Sequence, residues 1–479
     1  MIFTKLTKNL YEIILVVLFS SIFLFKTNFN RISTFASNKN SNNNVYEEID
    51  SYLSTSCENA HFPAMSVTIV NKENVLFSKA FGNCTSTDTP FLLGSVSKSF
   101  TALCIMQLVE QGKIDLNGTL SDYLPNATDG DKITILELLN HTSGFGEHQN
   151  LQTYKIIEKQ GVHNYANVNY SLLGKIIEEV SDLSYENYIV QNIFEPLSMT
   201  KSAATLEKSK ANGLIEGYQN WFGIQIKTTP KYPKSEDAWI STSAGYLSAS
   251  TDDLGKYLQM YLNGGNKIIS NDSINKMFYE NVKVDADIPY SYGMGWTLIN
   301  EPLPEPVFRH AGLVESGMAT IYLLPEREIG IAIAINANDY FVGKDMMDRI
   351  DWSIALMLMG ENPNQILNNE YVSKHFFYDF IYFVVFLISV FPLCLIKAYK
   401  KNAFKNIFWI RMVLLHFILP LFILLLPKIF FKTPLWVVCS FVPDMFLTIV
   451  LSSFLLFIGG IIKTILIILN RKAFYLVKD

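Results

Sequence analysis

Ser95 and Lys98 stand three residues apart in FLLGSVSKSF, at the point where an apolar helical pattern begins. That spacing puts both side chains on one face of a helix. A serine hydroxyl is a poor nucleophile until a base takes its proton. Lysine can be that base only if its pKa falls, and both partial burial and the positive end of a helix dipole lower it. The same helix end favours the alkoxide that would develop on Ser95. S-x-x-K alone is a weak signal, because Ser198-Met-Thr-Lys201 and Ser273-Ile-Asn-Lys276 match it as well. Those two lie in polar, turn-like surroundings, whereas Ser95 follows Gly94 and opens a long apolar helix.

Two more stretches carry useful chemistry. In VHNYANVNYSLLG, Tyr165 and Asn167 precede a helical pattern. A tyrosine beside a lysine can pass a proton to a leaving group. An asparagine amide can hold a substrate carbonyl and a lysine at once. A packing tyrosine and a helix-capping asparagine would look the same in the sequence, and Asn169 is an equally good cap. In FRHAGLVESGMATIYLLP, His310, Ala311 and Gly312 precede a strand. Gly312 would let the backbone approach a ligand closely, so that the N–H of Leu313 could join that of Ser95 as a pair of oxyanion donors. His141, in LLNHTSG, reads as a structural residue supporting the loop under such a site. There is no G-x-S-x-G nucleophile elbow, no H-E-x-x-H and no C-x-x-C. No metal and no other cofactor is expected.

The elements that must position these residues are legible as patterns. HFPAMSVTIV and NVLFSKAFG are β-rich runs separated by Asn71-Lys72-Glu73-Asn74, a hairpin signal. SVSKSFTALCIMQLVEQGK has helical spacing and a stop at Gly112; NYSLLGKIIEEVSDLS is a second amphipathic helix. MATIYLLP and EIGIAIAINAN read as strands. Strands at both ends with helices between them predict an α+β domain over residues 45–360: an antiparallel sheet flanked by helices, with an all-helical subdomain. Cys104 fits the core of the first helix, and Cys57 and Cys84 flank the hairpin either as a disulfide or as two unrelated thiols.

The 479-residue chain is 49% hydrophobic and only 17% charged, which points to membrane segments beside a globular part. Its net charge of -5 argues against nucleic acid as a partner. Residues 1–36 read as a signal peptide or N-terminal membrane anchor, with Lys5 and Lys8 ahead of an apolar run and Thr34-Phe35-Ala36 as a possible cleavage site. Residues 37–44, SNKNSNNN, are a polar linker. Three apolar runs within residues 372–472 are each long enough to span a bilayer. A basic loop with Lys397, Lys400, Lys401, Lys405 and Arg411 separates the first two, and Lys463, Arg471 and Lys472 close the third. Positive residues favour the cytoplasmic side, which puts the domain at 45–360 outside. His416 and Asp444 lie near the ends of these runs, where an ionisable residue has a bland explanation.

Taken together and in this order, the three stretches resemble the β-lactamase-related serine hydrolases: class C β-lactamases, D-alanyl-D-alanine peptidases and related esterases. ITILELLNHTSGFG, NIFEPLSMTKS, SAGYLSASTDDLGKY and YGMGW extend the likeness over roughly residues 45–350. The resemblance implies an acyl-enzyme at Ser95, proton removal assisted by Lys98, and Tyr165 as general base or acid. It implies substrate binding by Asn167 and by His310-Ala311-Gly312, where many members carry Lys-Thr-Gly. A histidine is charged only in part at neutral pH, so β-lactam hydrolysis is the doubtful activity and acylation is not. The expected partner is a small peptide, ester or β-lactam-like substrate on the outer face of a lipid bilayer; oligomeric state is left open. The competing readings are a degenerate envelope sensor signalling through its helices, a true β-lactamase, and a hydrolase fused to a transporter.

Overall fold

The computed structural model describes residues 44–301, 303–394 and 406–476. The N-terminal segment 1–36, the linker up to residue 43 and the basic loop around Lys400 lie outside them. The chain divides into two compact units: a sheet-containing one made of residues 38–371 apart from 221–223, and a helical one from Val372 onward.

The sheet has eight strands, all antiparallel. They are β1 (Ala64–Val70), β2 (Val75–Gly82), β3 (Val282–Asp285), β4 (Ile288–Gly293), β5 (Trp296–Ile299), β6 (Val307–Val314), β7 (Gly317–Leu324) and β8 (Ile329–Ile335). Their spatial order is β2-β1-β8-β7-β6-β5-β4-β3. The N-terminal hairpin thus closes on strands from the far end of the domain, with Met65 opposite Ile335. Between them lies the helical insert. The β1–β2 turn is stitched by the Asn71 side chain, whose oxygen accepts from the N–H groups of Glu73 at 3.0 Å and Asn74 at 2.7 Å. β1 and β7 are buried along their whole length because both faces of the sheet are covered.

Helices α1 (Val45–Asn59), α4 (Thr251–Leu262) and α5 (Gly343–Leu358) pack on the sheet, while α2 (Ser97–Glu110) and α3 (Asn167–Ser181) pack on each other. α2 runs through the middle of the domain and is buried on every side from Ser97 to Leu108, not on one stripe. Its polar residues survive there because each finds a hydrogen-bond partner. Ser97 Oγ donates to Gly94 O at 2.7 Å, Ser99 Oγ to Val96 O at 2.8 Å, and Thr101 Oγ1 to Ser243 O at 2.7 Å. β6 alternates between two environments. Arg309 points to α5, where its guanidinium meets Asp348 at 2.9 Å and Asp351 at 2.7 Å. His310 therefore points to the opposite face, toward α2. Cys57 and Cys84 are free thiols, and Cys104 is buried in the core.

Among the described residues three helical stretches are long and apolar enough to cross a membrane: Glu370–Val390, Trp409–Phe431 and Pro443–Leu469. Lys463, expected to flank the third, lies inside it. Its Nζ is 2.9 Å from His416 Nε2 of the second stretch, and His416 Nδ1 faces Leu456 O at 2.7 Å. The two bases sit together because Gly460 leaves room for His416: a Cβ on Gly460 would lie 2.5 Å from His416 Cβ.

Candidate active site

Ser95 sits in a tight turn, Gly94–Val96, that leads into α2. Gly94 has φ +54°, and a Cβ there would lie 2.4 Å from Leu313 N. A Cβ on Gly312 would lie 1.9 Å from Leu93 O and 2.7 Å from Ser95 N. No larger residue fits at either position. The backbone of the serine turn and that of β6 therefore touch, and this contact brings Ser95 N and Leu313 N to the same place.

Lys98 is fully buried in the first turn of α2, one turn after Ser95. Its Nζ lies 3.1 Å from Ser95 Oγ, 2.8 Å from Asn167 Oδ1 and 2.7 Å from Ala244 O. It also stands over the rings of Tyr165, 4.8 Å from the centroid, and Tyr170, 5.8 Å away. Burial holds its pKa well below the usual lysine range. The hydrogen bonds agree with a neutral amine. Asn167 Oδ1 and Ala244 O can only accept, so each takes one N–H. With the third proton lost to burial, the direction toward Ser95 holds the lone pair that can receive the serine proton; a charged Lys98 would donate to Ser95 Oγ instead. Tyr165 is hydrogen-bonded to Ser95, and burial raises its phenol pKa, so it is held as a neutral phenol.

His310 is buried and 3.0 Å from Ala311 O through Nδ1, which therefore carries the proton. Nε2 then accepts from Tyr292 Oη at 3.2 Å. Burial pushes the His310 pKa down to about 3. Where a lysine would give a fixed cation, this site holds a neutral ring. Arg309 cannot replace that charge, since its guanidinium is held by two aspartates on the other side of the sheet.

The sequence-predicted residues Ser95, Lys98, Tyr165, Asn167, His310, Ala311, Gly312 and Leu313 thus fall around one locus. Asn169 does not cap α3; its amide bonds to His141 and Ser143. The two decoys are elsewhere: Lys201 pairs with Asp88 at 3.4 Å, and Ser273 Oγ donates to Glu110 at 2.6 Å. Three participants were not singled out from the sequence: the Ala244 carbonyl, Tyr170 and Tyr292. Ala244 and Tyr292 lie in SAGYLSAS and YGMGW, stretches noted only for their likeness to a family, while nothing marked Tyr170. Among the described residues no group of three or more His, Cys, Asp or Glu could hold a metal ion.

An antiparallel sheet covered by helices on both faces, with a serine turn opening a buried helix against one strand, is the serine β-lactamase and transpeptidase fold. The chain belongs to the Beta-lactamase family, whose model matches residues 49–355. Protein flp of Staphylococcus aureus (strain NCTC 8325 / PS 47) is 27% identical over 335 residues, or 63% of this chain and 65% of that protein. The match thus spans just under two thirds of that relative's length. The octameric penicillin-binding protein homologue from Pyrococcus abyssi is 27% identical, with a TM-score of 0.59 over 68% of this chain and 80% of its own. A class C beta lactamase from Rhodobacter sphaeroides, 17% identical, shares the fold at a TM-score of 0.55 over 65% of this chain and 99% of its own. Proteins of this fold family are serine hydrolases.

Proposed function

We propose that the protein is a membrane-anchored serine hydrolase that works through an acyl-enzyme on Ser95, outside the cytoplasmic membrane. Its substrates would be D-amino-acid peptides, cell-wall-linked esters or related amides. The hydrogen-bond inventory of Lys98 carries the reading. Two fixed acceptors occupy two N–H groups, and burial, by lowering the lysine pKa, favours a lone pair in the third direction for the Ser95 proton.

In the forward step the Ser95 proton moves to Lys98 Nζ as Oγ attacks the acyl carbon. The N–H groups of Ser95 and Leu313 take the negative charge on the carbonyl oxygen. Tyr165 gives its proton to the departing nitrogen or oxygen and recovers one from Lys98. Water then attacks the acyl-enzyme by the same route in reverse. Asn167, with its oxygen turned to Lys98, has its amide N–H groups for the substrate. His310, Ala311 and Gly312 line the strand side. The neutral His310 favours substrates that do not depend on a cation at that position, so a β-lactam would acylate the enzyme more readily than it would be turned over. Placement outside the membrane is supported by the basic residues between the first two spans and after the third.

Incubating the purified full-length chain with a fluorescent penicillin and with a fluorescent alkylphosphonate tests this. Labelling of Ser95 by either, lost in Ser95→Ala, is the expected result. A folded protein that neither reagent labels refutes it.

A further inference from the structure

His141 stands outside the proposed proton path, yet three observations single it out. It is a non-glycine residue with φ +57°, in the left-handed region that side chains with a Cβ rarely enter. It is fully buried, with its ring centroid 4.3 Å from that of Tyr165. Its Nδ1 receives two donors. The backbone N–H of Ala166, between Tyr165 and Asn167, donates to it at 3.3 Å. The Asn169 amide nitrogen donates to it at 2.9 Å.

The direction of the second bond is fixed by chemistry. Ser143 Oγ accepts from Phe145 N–H at 3.3 Å and donates to Asn169 Oδ1 at 2.7 Å. Nδ1 already accepts from the Ala166 N–H and so bears no proton, which makes the nitrogen of Asn169 the atom turned to His141, and that nitrogen can only donate. Two donors on Nδ1 require a lone pair there, so the neutral ring carries its proton on Nε2. Burial holds His141 neutral, which keeps this tautomer. The same loop grips the same segment again: His141 O accepts from Asn164 N–H at 2.8 Å, and Asn164 Nδ2 donates to Phe145 O.

We infer that His141 is the positioning residue of the Tyr165-Ala166-Asn167 segment, its Nδ1 acting as a fixed acceptor that sets where the Tyr165 hydroxyl and the Asn167 amide meet Lys98. The left-handed backbone at His141 turns the ring back under that segment, which a right-handed residue would not do. The inference rests on the proposed roles of Tyr165 and Asn167, but the clamp itself can be measured without them.

Asparagine and glutamine separate the two ring nitrogens. An asparagine oxygen reaches the place of Nδ1 and tolerates φ > 0, while a glutamine amide reaches the place of Nε2. In the full-length chain in detergent, His141→Asn is expected to label at Ser95 within about threefold of wild type. His141→Gln and His141→Ala should lose roughly 10- to 100-fold in the maximal labelling rate, because small misplacement of a catalytic group is enough for that. In parallel, the Ala166 amide should exchange with solvent about tenfold faster in the Gln and Ala variants but not in the Asn variant. Equal labelling by Gln and Asn, or an Ala166 amide indifferent to His141→Ala, overturns the inference. A wild-type chain that labels with no reagent refutes the proposed function instead, and the exchange experiment still decides the clamp.

Discussion

Lys98→Met replaces the buried amine with a chain of similar length that cannot be protonated. In the folded protein the lysine is held well below its ordinary pKa by burial, while in the unfolded chain it titrates near 10.4. Between the folded value and 10.4 the unfolded state binds one proton that the folded state does not. Stability therefore falls with falling pH across that window, by about 1.4 kcal/mol for each pH unit, until the folded pKa is reached. The methionine variant lacks this dependence, and every other titrating group is common to both proteins. Substitution also leaves Asn167 Oδ1 and Ala244 O without their donor, a constant cost of about 1–3 kcal/mol each. That constant does not move with pH. The difference in unfolding midpoint between the two proteins, measured in detergent from pH 9.5 downward, should therefore shift in favour of Lys98→Met by roughly 3–5 °C per pH unit. A difference that stays flat from pH 9.5 to 7 would mean that Lys98 is charged in the fold. The lone-pair argument, and with it the proposed first proton transfer, would then be wrong.

Tyr165→Phe keeps the ring beside Lys98 and removes the hydroxyl; Ser95 labelling should slow by about 10²- to 10⁴-fold with the unfolding midpoint nearly unchanged. Gly312→Ala sets a Cβ 1.9 Å from Leu93 O, and its loss of both folding yield and labelling should not be relieved by lower temperature; wild-type labelling would disprove the close approach. Arg309→Met leaves Asp351 buried beside Asp348 without its cation and should cost about 3–5 kcal/mol, read as a fall in midpoint, although Arg309 lies on the far side of the sheet from Ser95.

The sequence made the nucleophile legible because its marks are local: a glycine before the serine, a lysine three residues later and an apolar helix behind. The hairpin, α2, α3 and strands β7 and β8 were legible for the same reason, each being a short stretch with its own period and its own stop. The acceptor on Lys98 from Ala244 was not, since a backbone carbonyl has no residue type to betray it and 146 positions separate the pair. Tyr292 reads as an ordinary strand aromatic until β4 and β6 are set in one sheet and its hydroxyl meets His310. Lys463 misled in the opposite direction. Positive residues at the end of an apolar run mark a boundary, and only the notch at Gly460, which admits His416, lets this one lie within the run.

Neutral histidines around the site carry a consequence for acid. His310 is held down to about 3 and His141 well below its ordinary value, in both cases chiefly by burial. Neither can gain a proton in the fold as the pH passes 6.5, but both do so once the chain unfolds. A group whose folded pKa is depressed in this way is a base that the unfolded state protonates first. Its contribution to stability is intact above 6.5 and is lost as the pH falls below it. His163, pushed down to about 4 by burial, adds to them; each such group removes about 1.4 kcal/mol per pH unit, so the unfolding midpoint should drop steeply from pH 6 to 4.5. Ser95 labelling over the same range should show no step near 6.5, because no site histidine titrates there while the protein is folded. His310→Gln, which keeps an uncharged side chain, should flatten the midpoint curve by about a third. A labelling step near 6.5 that disappears in His310→Gln would show instead that His310 is charged in the working enzyme, and that the cation expected at this position in the family is supplied after all by the imidazole.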